Sequence, residues 1–394
     1  MGAHFDVLIA GGGPVGAALA LALEDCGHTI GLVTPLSSAR ATVGFRPIAL
    51  SHASRSYLLG LAPTLDLDTT PIHTVHVSQR GGFGRTVMTA SEHALPALGH
   101  VADLAPLSQA LLARTVPIDA RVSAWSGVRS SDSDRIDRDR IHSDRIEVRL
   151  EYPDGTVETC TTTLLVRADG GADAHPGANL RRDYAQTAIT ALIRTEAPPR
   201  NQAWERFTPD GPLALLPFHD RYALVWAVPT ARASDLMAAP DGSFLGALEA
   251  AFGGRVGHFL EVASRASSPL VLKQASSSVE PGVIAIGNAA QTLHPVAGQG
   301  LNLALRDVAE LARLIRDTSR SALGHLALQR AFTQARRADR FATIEVTDRL
   351  VRIFSNDDPP IRIARDIGLA LLDTFPPARR FFARRMMLGL RGLP

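Results

Sequence analysis

The sequence predicts an α/β fold that is followed by an antiparallel sheet and a helical C-terminal region. Three observations predict it. A strand–turn–helix–strand pattern occupies the first 33 residues, short apolar or alternating segments fill residues 183–228, and a strand followed by an amphipathic helix returns after Pro281. Parallel sheets need such helical crossovers, whereas short strands separated by turn residues are typical of antiparallel sheets.

The first 33 residues read as one βαβ unit. Residues 5–10 (FDVLIA) form a short apolar run typical of a buried parallel strand. A glycine cluster then predicts a turn, and Pro14 stands where a first helical turn begins. Apolar residues recur at helical spacing until Gly27, and residues 28–33 (HTIGLV) predict the second strand.

The rest of the chain divides into three parts. In residues 131–149 the tripeptide Asp-Arg-Ile recurs every five residues, which predicts a solvated loop or hairpin tip, with a binding patch as the alternative. Residues 183–228 predict the antiparallel sheet of a second domain. Residues 283–287 predict a strand, an amphipathic helix follows, and the last 60 residues are mostly helical in pattern.

Composition excludes several classes of protein. The 41 basic and 39 acidic residues nearly balance and are interspersed, which gives no reason to expect a nucleic-acid partner. The two cysteines, Cys26 and Cys160, predict neither a disulfide framework nor a zinc site, and no histidine pair supports a metal. The N-terminus has no signal-peptide pattern, and glycines interrupt the longest apolar run. We therefore expect a cytoplasmic protein without a metal.

The turn after the first strand matches the dinucleotide-binding pattern G-x-G-x-x-G. Gly11, Gly13 and Gly16 would give a tight turn, close approach to a pyrophosphate and close helix packing. A helix would begin at Pro14 and Val15, and the free N–H groups of its first turn would face the phosphates. Thr34 occupies the end of the second strand, where an acidic residue commonly binds the ribose. The alternative is a tight βα turn without a ligand.

Several segments together carry a resemblance to a known family. They are GNAAQTLHPVAGQGLNLALRD (287–307), FRPIALS (45–51), VHVSQRG (75–81), YAQTAI (184–189) and ERFTPDGPLALLPF (205–218). Their combination resembles the ubiquinone-biosynthesis hydroxylases among the aromatic-ring flavoprotein monooxygenases, and most closely the branch that acts on 2-polyprenyl-6-methoxyphenols. These segments span most of the first 310 residues.

The resemblance implies a Rossmann-like FAD-binding domain of the para-hydroxybenzoate-hydroxylase type, an antiparallel-sheet substrate domain and C-terminal helices. The implied domain limits are residues 1–75, 101–180 and 281–330 for the discontinuous FAD-binding domain. Residues 76–100 and 181–280 would form the substrate domain, and residues 331–394 the helical region.

The resemblance also implies site residues. Arg46 and Gln109 would contact the flavin and its phosphate–ribityl region, and Asp169 would serve FAD and NAD(P)H binding, although Arg167 stands where glycine is usual. His294 and Pro295 are the candidate catalytic residues: Pro295 would wall the flavin face where oxygen reacts, and His294 would structure the flavin loop, with proton transfer as the alternative. The remaining cofactor-binding predictions lie in the segment 287–307, which we call the second motif. They are Gly287, Asn288, Gly298, Gln299, Gly300, Leu301 and Asn302. Glycines at 298 and 300 would let the backbone approach a flat ring closely.

The segment 205–218 and the strand after it supply the predicted substrate contacts. Phe207, Leu215, Pro217 and Trp226 would build an apolar wall for a long isoprenoid tail, although residues of this kind more often belong to an ordinary core.

The implied activity is hydroxylation of a polyprenylated methoxyphenol in ubiquinone biosynthesis, with NAD(P)H and O2 as co-substrates and a flavin C4a-hydroperoxide as oxidant. Two alternatives stay open: a monooxygenase of another lipophilic phenol, and a non-catalytic flavoprotein-like subunit of a quinone-biosynthesis complex. The arginine-rich amphipathic tail from Pro376 onward is a candidate for peripheral contact with the inner face of a membrane, or for a subunit interface.

Overall fold

The computed structural model describes residues 2–37, 44–128, 145–170, 180–274, 280–292, 298–354 and 359–388. The strands are β1 (His4–Ala10), β2 (Ile30–Val33), β3 (Pro47–Ser51), β4 (Thr69–Ile72), β5 (Thr74–Gln79), β6 (Arg85–Thr89), β7 (Gly99–Asp103), β8 (Arg121–Val128), β9 (Arg145–Glu151), β10 (Val157–Arg167), β11 (Leu180–Thr195), β12 (Gln202–Thr208), β13 (Gly211–Phe218), β14 (Arg221–Pro229), β15 (Phe259–Gln274), β16 (Val283–Ala285) and β17 (Gln291–Thr292). The helices are α1 (Pro14–Ala22), α2 (His52–Leu61), α3 (Leu104–Leu112), α4 (Thr230–Ala238), α5 (Asp241–Phe252), α6 (Gln299–Arg316), α7 (Leu326–Phe354), α8 (Pro359–Thr374) and α9 (Pro376–Leu388).

The first sheet has the order β2-β1-β10-β9-β8, and β16 also pairs with β10. β1 runs parallel to both β2 and β10, which confirms the predicted βαβ unit, although the second strand begins at Ile30 rather than at His28. β10 changes partner along its length, because its first half pairs with β9 and its last three residues pair with β16. Helices α1, α2, α6 and α7 contribute to the apolar core on one face of this sheet.

The second sheet has eight strands in the order β17-β15-β11-β14-β13-β12-β5-β6. Its pairings are antiparallel except for the parallel pair β12–β5, so the antiparallel sheet predicted for residues 183–228 is confirmed. One face packs on α4 and α5 through a core that contains Trp226, Phe244 and Phe252. A smaller sheet of order β3-β7-β4 is the third one described.

The prediction of a loop at residues 131–149 is wrong for residues 145–149, which belong to β9. Apolar residues alternate there and are buried against the first sheet. Residues 131–144 lie outside the described part of the chain. The domain limits given above remain predictions.

A buried ion-pair network joins α6 to α7. Asp307 is fully buried and accepts hydrogen bonds from Arg336 at 2.6 Å and from Arg340 at 2.7 Å. Asp339 accepts from Arg306 at 2.8 Å and from Arg336 at 2.7 Å. Each carboxylate therefore has two guanidinium partners, which offsets the cost of removing these charges from water.

The last two helices continue the packing around the second sheet. α8 packs on β5 and β6, and α9 packs on α2 and α8. Among the helices described, none combines the length and the apolarity needed to span a lipid bilayer.

Candidate functional site

A cavity of about 1570 Å³ is lined by residues from all three sheets and from helices α3, α6, α8 and α9. Pockets for one small ligand usually measure about 300–1,000 Å³. This cavity therefore has room for more than one molecule.

The three glycines of the first motif have different physical roles. A Cβ at Gly16 would lie 1.8 Å from the carbonyl oxygen of Gly11, so Gly16 allows α1 to pack against the turn. Gly11 has φ +111°, and its Cβ would lie 2.6 Å from the backbone of Ala168. Gly13 lines the cavity, and its Cβ would meet no atom of the described residues within 4 Å. Only Gly13 thus leaves open space that a ligand can fill.

The first turn of α1 begins at this open space. Gly13 is the N-cap residue and has no side chain to pair with the free N–H groups of that turn. Pro14 and Val15 line the cavity beside it. Thr34, at the end of β2, also lines the cavity and is almost completely buried.

Arg46 and Gln109 face the same cavity from two further elements. The backbone N–H of Arg46 donates to Asp103 at 3.1 Å, which fixes the loop before β3. Gln109 lies on α3 and is exposed to the cavity. Neither side chain forms a hydrogen bond or ion pair with the residues that the structure describes. Both are therefore available to a ligand.

Asp169 follows β10 and also lines the cavity. Its carboxylate pairs with Arg167 at 3.2 Å. Arg167 is 1% exposed, and its guanidinium carbon lies 5.0 Å from the ring centroid of Trp125. The arginine that replaces the usual glycine is therefore a buried group that orients Asp169, a role that the sequence analysis missed.

The second motif surrounds the N-terminus of α6. Gly298 is in the left-handed region at φ +60°, and its Cβ would lie 2.9 Å from that of Ala49. Gly287, at φ +61°, packs against Val15 of the first motif and does not line the cavity. A Cβ at Gly300 would meet none of the described atoms within 4 Å. The other residues of this motif that line the cavity are Asn288, Gln299, Leu301 and Asn302.

The side chain of Asn302 is engaged by the protein itself. Its amide nitrogen donates to the carbonyls of Ala49 at 2.8 Å and Gly298 at 2.7 Å, and its amide oxygen accepts from the N–H of Ser51 at 2.8 Å. Asn302 thus positions the loop and β3, and because it also lines the cavity its contact with the cofactor remains a prediction. His294 and Pro295 lie outside the described residues.

Three of the four predicted substrate contacts do not line this cavity. Phe207 lines the cavity, but Leu215, Pro217 and Trp226 do not. Successive residues of a strand face opposite sides of a sheet. Leu215 and Trp226 are fully buried against the helices α4 and α5. Their neighbours Ala214, Leu216 and Val225 face the cavity instead.

The amino-acid sequence also resembles those of known proteins. A family model described as squalene epoxidase matches residues 262–370. Ubiquinone hydroxylase UbiL of Rhodospirillum rubrum is 34% identical over 98% of this chain and 90% of its own length. The chain belongs to the family of ubiquinone-biosynthesis hydroxylases. The 3-demethoxyubiquinol 3-hydroxylase of Escherichia coli is 32% identical over 92% of this chain and 93% of its own length.

The fold of the chain is also similar to that of a solved structure. The crystal structure of p-nitrophenol 4-monooxygenase PnpA from Pseudomonas putida matches with a TM-score of 0.74 at 14% identity, over 100% of this chain and 99% of that one. The fold class predicted for this chain is thereby confirmed.

Residues that the sequence analysis missed complete the cavity of this family member. The cavity is also lined by Leu369 and Leu372 of α8 and by Phe382 and Met387 of α9. Glu205 on β12 also lines it, and burial raises the pKa of this carboxyl group to about 7. A glutamate between Trp204 and Phe207 in a segment predicted to form a strand was the one available signal.

Proposed function

We propose that this protein is an FAD-dependent monooxygenase that hydroxylates the aromatic ring of a polyprenylated methoxyphenol in ubiquinone biosynthesis, using NAD(P)H and O2. The observation that carries the proposal is one continuous cavity. Its glycine-lined end, where Gly13 and Gly300 leave open space, fits a dinucleotide and a flat ring, and its other end is lined by apolar side chains.

The chain offers donors suited to each part of FAD. The free N–H groups of α1 beside Gly13 would bind the pyrophosphate, and Thr34 would donate a hydrogen bond to the ribose. Arg46, Gln109 and Asn288 have side chains available for the flavin and its ribityl chain. The remaining proposed cofactor contacts are Asp169, Gly298, Gln299, Gly300 and Leu301. When bound, FAD would supply the redox chemistry that activates O2 with electrons from NAD(P)H.

The protein itself would position the substrate and exclude water. The apolar side chains of Phe207, Leu216 and Val225 would hold the ring and its isoprenoid tail in a poorly hydrated chamber. His294 and Pro295 remain proposed contributors beside the flavin. The same arrangement supports turnover of another lipophilic phenol, because an apolar wall discriminates weakly between related rings.

The test is to purify the protein, quantify released FAD per chain and measure NAD(P)H oxidation with and without a prenylated 2-methoxyphenol, identifying the product by mass. We expect near-stoichiometric FAD, stimulation by the phenol and a product heavier by one oxygen atom. FAD binding without a hydroxylated product from any lipophilic phenol would instead favour the non-catalytic subunit.

We further propose peripheral contact with a membrane, with α8 as the central element. One face of α8 exposes Ile363, Ile367 and Leu371, which follow each other at helical spacing, while Leu369 and Leu372 face the cavity. Arg362 on α8 and Arg380 and Arg384 on the neighbouring helix α9 are also exposed. An apolar stripe together with exposed cations suits an anionic lipid surface. A substrate with a lipid tail would then enter close to the bilayer.

Replacing Ile363, Ile367 and Leu371 together by serine is expected to weaken binding to vesicles of anionic phospholipid at least tenfold, since burial of each side chain contributes about 2 kcal/mol. The measurement is co-sedimentation with vesicles, and FAD content should stay unchanged. The matched control replaces Val116, Val157 and Leu260, three exposed apolar residues on other elements, by serine. Equal loss of binding in both triple variants would contradict a role for α8.

A further inference from the structure

One row of residues crosses the cavity face of the second sheet. Each residue of the row is the cross-strand neighbour of the next, from β5 to β15. The row consists of Val77, Glu205, Ala214, Val225, Thr190 and Ala266. All six residues line the cavity. Glu205 is the single ionisable residue of the row, among alanine, valine and threonine.

Glu205 also has no polar partner among the residues that the structure describes. Its carboxylate forms no hydrogen bond and no ion pair with the described residues. Its cross-strand neighbours Val77 and Ala214 offer no polar side-chain atom. A carboxylate in apolar surroundings is costly unless it is hydrogen-bonded. A ligand in the cavity would supply the missing donor.

Four other charged residues line the described cavity. Arg46 and Asp169 belong to the glycine-motif end, and Arg121 pairs with Glu151. Arg365 projects from α8, the helix that packs on β5 and β6, and donates to the backbone carbonyl of Ile353 at 2.7 Å. The cavity-lining residues of α9 are Phe382, Ala383 and Met387, which carry no charge.

We propose that Glu205 binds the phenolic hydroxyl group of the substrate ring and accepts its proton, an inference that rests on the proposed function. A phenol is a strong hydrogen-bond donor, and a carboxylate accepts such bonds about twice as strongly as a neutral group. Removing the proton enriches the ring in electrons, which favours its attack on an electrophilic oxygen atom. The methoxy and isoprenoid groups would then lie against the apolar members of the row.

Protons and electrons balance over the cycle. The phenolic proton moves to Glu205 while the ring carbon forms its bond to oxygen. That carbon then loses its own proton to solvent, and Glu205 returns the phenolic proton as aromaticity is restored. The net reaction is ring C–H + O2 + NAD(P)H + H⁺ → ring C–OH + NAD(P)⁺ + H2O, which leaves Glu205 unchanged.

The ionisation of Glu205 gives the inference a pH signature. Burial raises the pKa of Glu205 to about 7, so the accepting carboxylate form predominates only above that pH. We expect the preference for a phenol over its methyl ether to rise as pH increases from 6 to 8.

The experiment compares the dissociation constants of a prenylated 2-methoxyphenol and its methyl ether for FAD-loaded protein, measured by calorimetry. The wild-type protein should prefer the phenol by about 10- to 100-fold at pH 8, as expected for a hydrogen bond to a charged group. Glu205→Leu should abolish the preference. Glu205→Gln, which keeps the shape, should keep a reduced preference that no longer changes with pH.

The control is Glu147→Leu, which makes the same change at an exposed strand position on β9 outside the cavity. It should retain the wild-type preference. A Glu205→Leu variant with full FAD and an undiminished preference would overturn the role of Glu205 while leaving the proposed function intact. A wild-type protein that neither retains FAD nor hydroxylates phenols would refute the proposed function instead.

Discussion

Gly13→Val is expected to abolish FAD retention while leaving the fold intact. Gly13 has φ −64° and ψ −179°, an extended conformation that valine adopts without strain. Its Cβ would meet no described protein atom, yet it would enter the space assigned to the pyrophosphate. We expect FAD to bind on the order of 100-fold more weakly, since forced overlap costs about 3 kcal/mol. The measurement is the FAD content and dissociation constant of the purified variant.

The matched control is Gly246→Val on α5. Gly246 is exposed, its Cβ would also meet no described atom, and it does not line the cavity. This variant should purify with as much FAD as the wild-type protein. If the Gly13 variant did so as well, the pyrophosphate would have to bind elsewhere.

Asp307→Ala is expected to lower the free energy of unfolding by about 3–5 kcal/mol. The fully buried carboxylate of Asp307 pairs with both Arg336 and Arg340. Its removal leaves the two guanidinium groups without this counter-charge between α6 and α7, and buried unpaired charge is strongly unfavourable. Urea denaturation followed by circular dichroism would measure the change.

The comparison variant is Asp317→Ala at the end of α6. Asp317 also pairs with an arginine, Arg313 at 3.1 Å, but both side chains are exposed. An exposed pair of this kind contributes less than about 1 kcal/mol. Equal denaturation midpoints for the two variants would show that the Asp307 network does not stabilise the helix pair.

Local sequence patterns correctly predicted the elements whose conformation depends mainly on residues that are neighbours in the chain. The apolar run before Gly11, Pro14 at the helix start and the spacing of Leu301, Leu305 and Val308 predicted β1, α1 and α6. Glycine positions predicted the turns, because backbone conformation limits which residues fit there. The sequence could not distinguish Gly13, which opens onto the cavity, from Gly16, which packs against Gly11.

The remaining features depend on contacts between distant parts of the chain. Alternation on β13 and β14 separates two faces of the sheet but does not indicate which face packs on helices. The sequence therefore could not show that Leu215 and Trp226 pack on α4 and α5 rather than line the cavity. α8 and α9 contribute to the cavity although they follow β12 by more than 150 residues. The engagement of Asn302 by backbone groups likewise requires β3 to lie beside α6.

The contacts of Asn302 join two sides of the cavity. The amide clamps the start of α6 to β3, and Ser51 at the end of β3 also caps α2 through a hydrogen bond from the N–H of Ser54. A displacement of the glycine loop at 298–300 is therefore transmitted to β3 and on to α2. We therefore expect the spacing between the start of α6, β3 and α2 to be set before a ligand binds. A ligand that binds there would then lose little free energy to reorganisation of this part of the protein.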